Sequence, residues 1–244
     1  MMDRMMEKVV LVVGGASGIG EAIAERLATE GATVFLTGRR QGEVEGAAAR
    51  IGLGAKGIVA DASDATQIES AVAHVVAEKG RIDTLVLNAA ISEPADVLAS
   101  TAEHFDRHFG LNVRGPLLAL RAAVPDMPAG SAVVVVGSTA SEIANSPYGT
   151  YAATKAALRS YVRTWTVELA PRGIRVNLLS PGPTDTAKMA DVSVEVRSII
   201  LARVPAGRLA RPEEIAGAAL FLASDDSAFM AGSDLHIDGG MAQI

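Results

Sequence analysis

Tyr151 and Lys155 are the side chains of this sequence best placed to move a proton. They stand four residues apart at the head of an alanine-rich run. On a helix that spacing puts phenol and ammonium on one face, where both can reach one site. Tyrosine is a poor acid or base near neutral pH, because its ordinary pKa is about 10. A neighbouring cation favours the phenolate and lowers that value. Proton exchange with a carbonyl or alcohol oxygen then becomes practical. The spacing alone is common among helices, so the pair needs company.

Rival chemistries are few. The 244 residues include no cysteine, which removes thiolate nucleophiles, disulfides and cysteine-type zinc sites. The four histidines are His74, His104, His108 and His236. His104 and His108 could share a helix face, but the glutamate that follows the first histidine of a zinc helix motif is missing. They read as two surface histidines, and no metal site is expected.

A second feature binds rather than reacts. Gly14, Gly15, Ala16, Ser17, Gly18, Ile19 and Gly20 lie between an apolar strand and an amphipathic helix. Glycines there permit a tight turn and close approach of a phosphate, and the helix start offers unpaired N–H groups. The run reads as a dinucleotide turn; a bare turn is the alternative. An NAD-type fold usually ends its second strand with an acid that holds the adenine ribose. Here that strand runs into Gly38, Arg39 and Arg40. A guanidinium can grip a 2′-phosphate that a carboxylate would repel, so NADP is the expected cofactor. Arg39 is favoured because it directly follows the glycine at the usual acidic position. The other reading is a solvated pair of charges.

The elements that must position these groups alternate along the whole chain. Strands are expected at 8–13, 33–37, 57–60, 82–87, 131–136, 175–179 and 235–237. The 8–13 run is almost unbroken in its apolarity, as for a parallel strand buried on both faces. Helices are expected at 65–78, 103–124 and 151–169, with a further one near 191–202. Alternation of this kind predicts an α/β fold: a doubly wound parallel sheet of about seven strands with helices on both faces. No linker or repeat divides the chain, so one domain is expected over 1–244. The irregular stretch 183–205 reads as a lid or substrate loop, or else as a plain surface connection.

With these motifs in register, the sequence resembles the short-chain dehydrogenase/reductase family, in the branch that includes the 3-oxoacyl-carrier-protein reductases. The resemblance covers essentially the whole chain. It implies a single-domain Rossmann fold, with catalytic residues Asn112, Ser138, Tyr151 and Lys155. It implies a cofactor site drawn from Gly14, Ala16, Ser17, Gly18, Ile19, Gly38, Arg39, Arg40, Asp61, Ala62, Asn88, Ala89, Ala90, Tyr151, Lys155, Pro181, Gly182, Thr184 and Thr186. In the implied mechanism Tyr151 is the general acid and Ser138 polarises the substrate oxygen. Lys155 bonds the nicotinamide ribose and depresses the tyrosine pKa, while Asn112 holds a relay water. Bland readings stay open for some of these: Asp61 as a turn residue, Thr184 and Thr186 as helix caps, Asn112 as a kink. The sequence departs from the family at Val13, Leu87, Ala90 and Gly137. None of these removes a reacting group.

Bulk composition agrees. Hydrophobic residues make up 49% of the chain, enough for a sizeable core, and the formal net charge is -6, which argues against a nucleic-acid partner. No run of apolar residues is long enough to span a membrane, and no targeting segment is visible, so a cytoplasmic protein is expected. The substrate reads as a ketone, aldehyde or secondary alcohol of moderate size. Val194, Val196, Ile199, Ile200 and Leu201 are candidate lid residues, with Tyr148, Ile91, Ser92 and Glu93 flanking the pocket. Arg121 and Arg172 are the possible docking points for an acyl carrier protein. The family's usual assembly implies a homodimer or homotetramer, to which the apolar ending 241–244 could contribute.

Overall fold

Strands that are apolar on every residue can only be buried on both faces, and this sets the architecture. In the computed structural model, which describes residues 3–190 and 192–243 (the side chain of Lys188 apart), seven strands form one parallel sheet in the order β3-β2-β1-β4-β5-β6-β7. They are β1 (Val9–Val13), β2 (Thr33–Gly38), β3 (Lys56–Val59), β4 (Thr84–Leu87), β5 (Ala132–Val136), β6 (Arg175–Pro181) and β7 (Asp234–Ile237). The pleat sends alternate residues to opposite sides. Val9, Leu11 and Val13 join one core cluster, with Ile68, Val72, Leu120, Leu158 and Trp165. Val10 and Val12 join the other, with Ile23, Leu27, Val44, Ile215 and Leu220.

The first cluster is covered by α3 (Ala65–Lys79), α5 (Gly115–Ala123) and α6 (Gly149–Leu169). The second is covered by α1 (Gly18–Thr29), α2 (Gln41–Ile51) and α9 (Pro212–Ala223). This is the doubly wound Rossmann arrangement. The strand order reverses between β1 and β4, and ligands in such sheets lie beyond the strand ends at that point.

Two expectations are corrected. The helix expected over 103–124 is α4 (Ala102–Phe109), a π-helical turn (Gly110–Arg114) and then α5. The π turn has Asn112 at its centre, fully buried. Such turns interrupt an α-helix by widening one turn, and helical periodicity does not reveal them. His104 and His108 are not surface residues but buried ones. The His108 Nδ1–H donates to the His104 carbonyl at 2.8 Å, and its Nε2 accepts the Glu93 N–H at 3.1 Å. Both His108 ring nitrogens are thus engaged, and the ring braces the loop after β4. The helix expected near 191–202 is present as α8 (Val194–Ala202), and a further short helix, α7 (Ala187–Ala190), precedes it. The expected start at Asp191 and the terminal Ile244 lie outside the described residues.

Candidate active site

A cleft of about 560 Å³ opens at the reversal point. At one end sits the glycine turn. Gly14 has φ +82, and a Cβ there would stand 2.7 Å from the Ala89 backbone. A Cβ on Gly20 would stand 2.1 Å from the Gly14 carbonyl oxygen. The turn therefore closes only without side chains, and close backbone packing is what a pyrophosphate requires. The Gly14 peptide is held on both sides: Asn88 Nδ2 donates to its carbonyl at 2.7 Å, and its N–H donates to Thr37 Oγ1 at 3.1 Å. Ser17 makes no side-chain cap on α1, so the first N–H groups of that helix stay available to an anion. These observations fit a dinucleotide.

Gly38 has a different reason to be glycine. A Cβ there would meet Val44 Cγ2 at 2.8 Å and Ala16 Cβ at 2.9 Å. No acid can stand at this position unless one of them moves. Arg39 and Arg40 both line the cleft and are exposed. They differ in partnership: Arg40 pairs with Glu43, while Arg39 has no ion-pair partner among the described residues.

At the other end, Ser138 follows β5 and the first two turns of α6 deliver Tyr151 and Lys155. All three line the cleft. Lys155 is only 3% exposed; its Nζ donates to the Val136 carbonyl at 2.8 Å and lies 5.7 Å from the Tyr151 ring centre. Burial pushes the Tyr151 phenol above its ordinary value, and its hydrogen bond with Ser138 works the other way. The net shift is upward, opposite to the direction expected from Lys155 alone. A raised pKa keeps the phenol protonated, the form that can donate.

Two expected residues stand apart from the cleft lining. Asn112 lies behind it. Its Nδ2 donates to the Ile91 carbonyl at 2.8 Å and to Thr154 Oγ1 at 3.1 Å, and its Oδ1 accepts the Ile91 N–H at 2.9 Å. Asp61 Oδ1 is taken by the Ser63 N–H at 2.8 Å and the Ser63 hydroxyl at 2.7 Å, which matches the turn reading. The other expected cofactor residues line the cleft: Ala16, Ser17, Gly18, Ile19, Ala62, Asn88, Ala89, Ala90, Pro181, Gly182, Thr184 and Thr186 among them. The Thr184 hydroxyl, however, is turned back to the Gly182 carbonyl at 3.0 Å. Leu87, one of the departures, packs in the core.

Sequence reasoning missed Thr37, Thr154 and Met189. Thr37 was legible as a hydroxyl closing the second strand. Thr154 is buried between Asn112 and the Tyr151 carbonyl, to which its hydroxyl donates at 2.6 Å; no sequence signal marks it. Met189 lines the cleft from α7.

Comparison with known proteins accords with this geometry. A family model described as enoyl-(acyl carrier protein) reductase matches residues 14–242. An oxidoreductase of Sarocladium schorii is 35% identical over 99% of this chain and 98% of its own. The 3-oxoacyl-(acyl-carrier-protein) reductase of Escherichia coli K12 is 35% identical over 97% of this chain and 98% of its own. A solved short-chain dehydrogenase/reductase from Serratia marcescens superposes with a TM-score of 0.94 at 33% identity, covering 98% of this chain and 99% of the other. Among the described residues no helix is long and apolar enough to cross a membrane. With matches spanning nearly its whole length, the chain belongs to the short-chain dehydrogenase/reductase family, close to the 3-oxoacyl reductases, and is an NAD(P)(H)-dependent oxidoreductase.

Proposed function

We propose that the chain is an NADP(H)-dependent carbonyl reductase or alcohol dehydrogenase acting on a ketone, an aldehyde or the matching alcohol. The observation that carries the cofactor choice is Gly38: packing opposes an acid there, and the next residue is a cleft-lining arginine with no ion-pair partner among the described residues. When bound, the nicotinamide supplies or accepts the hydride. The protein does the rest. Tyr151 gives a proton to the substrate oxygen in reduction and takes one in oxidation. The Ser138 hydroxyl donates to the same oxygen, stabilising charge as it develops. Lys155, buried and fixed by the Val136 carbonyl, supports the nicotinamide ribose and the phenolate. Both Asn112 amide hydrogens are donated and one lone pair of Oδ1 is used. A relay water therefore has the remaining lone pair and the backbone carbonyl to bind. The main chain at Pro181 and Gly182, with the Thr186 hydroxyl, steadies the nicotinamide amide.

Relatives named as 3-oxoacyl-carrier-protein reductases favour a second reading, with an acyl carrier protein docking to deliver the substrate. The surface supports it poorly. Arg121 is paired with Glu69 at 2.5 Å, and Arg172 bonds the Pro125 and Met127 carbonyls. Val194, Val196 and Ile199 on α8 are exposed apolar residues suited to an apolar substrate under a lid. Assembly as a homodimer or homotetramer belongs to the same proposal: Val167 and Phe229 are fully or largely exposed, and β7 is a sheet edge. A screen of NADPH and NADH against simple ketones and a 3-oxoacyl thioester decides the matter. Turnover of ketones with NADPH is expected; efficient turnover of the thioester with poor activity on ketones would replace the first reading with the second.

A further inference from the structure

Outside the cleft, one charged cluster touches every element that presents a reacting group. Arg159 lies two helical turns beyond Tyr151 and one beyond Lys155, on the same side of α6. Its Nη2 is 3.0 Å from Glu142 Oε1, and its Nε is 3.3 Å from Asp234 Oδ2. His236 Nε2 lies 3.4 Å from the same Glu142 oxygen and 3.8 Å from the same Asp234 oxygen. The other Asp234 oxygen accepts the Ser180 hydroxyl at 2.6 Å.

The two contacts of Arg159 reach the segments that flank Ser138. Glu142 ends the short 3-10 turn (Thr139–Ser141) that Ser138 begins. On the other side, Ser180 Oγ lies against Gly137, where any Cβ would be 2.8 Å from it. Glu142 thus fixes the chain just after Ser138. Asp234, through Ser180, fixes the strand end just before it, and Ser180 also directly precedes Pro181. Both lines of contact converge on the guanidinium of the helix that carries Tyr151.

We propose that Arg159 is a positioning residue, which with Glu142 and Asp234 holds Ser138 in register with Tyr151. The proposal rests on the roles given above to those two residues. A guanidinium suits it, because its planar fork can serve two carboxylates at once. The carboxylates and the His236 nitrogen could together hold a metal ion, their ligand atoms lying within 4.8 Å of one another. Arg159 already bridges both carboxylates, so a cation would have to displace it.

The test compares Arg159→Met and Arg159→Lys with the parent chain, and uses Asp234→Asn should Arg159→Met fail to fold. Loss of register at the reacting atoms lowers kcat by about tenfold, with the KM for NADPH within about twofold, since small misplacements act on the chemical step. The kinetic isotope effect with deuterated NADPH rises, and Arg159→Lys recovers most of the rate. Amide hydrogen exchange, read on the chain alone, increases at residues 138–142 and stays unchanged at 14–20. Unchanged kcat and exchange in Arg159→Met would overturn the proposal. So would a matching fall in stability, kcat and cofactor affinity that lysine does not rescue, or activity lost to EDTA and restored by a divalent cation. Turnover surviving in Tyr151→Phe would instead refute the reading of the site, while the exchange result would still stand.

Discussion

At the phosphate end of the cleft the chain works largely through what it lacks. Gly14, Gly20 and Gly38 each stand where a Cβ would collide with backbone or a packed side chain. Two exposed arginines, Arg39 and Arg40, line that end. At the reaction end the chain works through side chains that are present and tied down. Lys155 is bonded to Val136, Asn112 to Ile91 and Thr154, and Tyr151 to Ser138. Shape made from backbone binds the same way whatever the protonation state. Side chains held in a buried site take their reactivity from that burial. Damage to the first end should appear as lost cofactor binding, and damage to the second as lost turnover.

The largest expected effect is at the reaction end. Tyr151→Phe should lower kcat by about a thousandfold, within the range for general acid–base catalysis, while fluorescence titration finds NADPH affinity nearly unchanged. Gly20→Ala is its counterpart. Overpacking of about 1–3 kcal/mol should weaken NADPH binding by about tenfold or more, with kcat at saturating cofactor largely kept. A fall in kcat without a change in affinity would erase the proposed division. Arg39→Ala tests charge alone: loss of a charge-assisted hydrogen bond of about 1.5–3 kcal/mol should cut kcat/KM for NADPH by at least about tenfold and leave NADH almost untouched. Thr154→Ala removes the bond that joins Asn112 to the catalytic helix. A net loss of about 1 kcal/mol predicts a fall in kcat of about fivefold, which Thr154→Ser should reverse. The smallest effect is spectroscopic. Ultraviolet titration of the unliganded chain against Tyr151→Phe should find this phenol ionising above the ordinary value near 10. Since the shift is upward, the protonated donor persists through neutral pH and is lost only on the alkaline side.

The same contrast explains what the sequence made legible. The glycine turn and the seven strands could be read because backbone constraints and two-face burial leave residue types at fixed spacing. Tyr151 and Lys155 could be paired by helical spacing, whereas Ser138 was picked out only through the family resemblance. The π turn could not, since one widened turn scarcely disturbs a helical pattern. The burial of His104 and His108 depends on a loop from the end of β4 folding back over α4, which no local pattern encodes. The direction of the Tyr151 shift is also a tertiary property: the burial that raises it, outweighing the Ser138 hydrogen bond, leaves no mark in the sequence.

Gly38 also bears on the history open to this chain. A single substitution to aspartate, the obvious step toward the unphosphorylated cofactor, would drive a side chain into Val44 and Ala16 before it could meet a ribose. Room would have to be made first, by trimming Val44 or shifting α2, and that step alone brings no benefit in binding. On the proposed NADP(H) reading, core packing around Gly38 therefore stands against a one-step change of coenzyme.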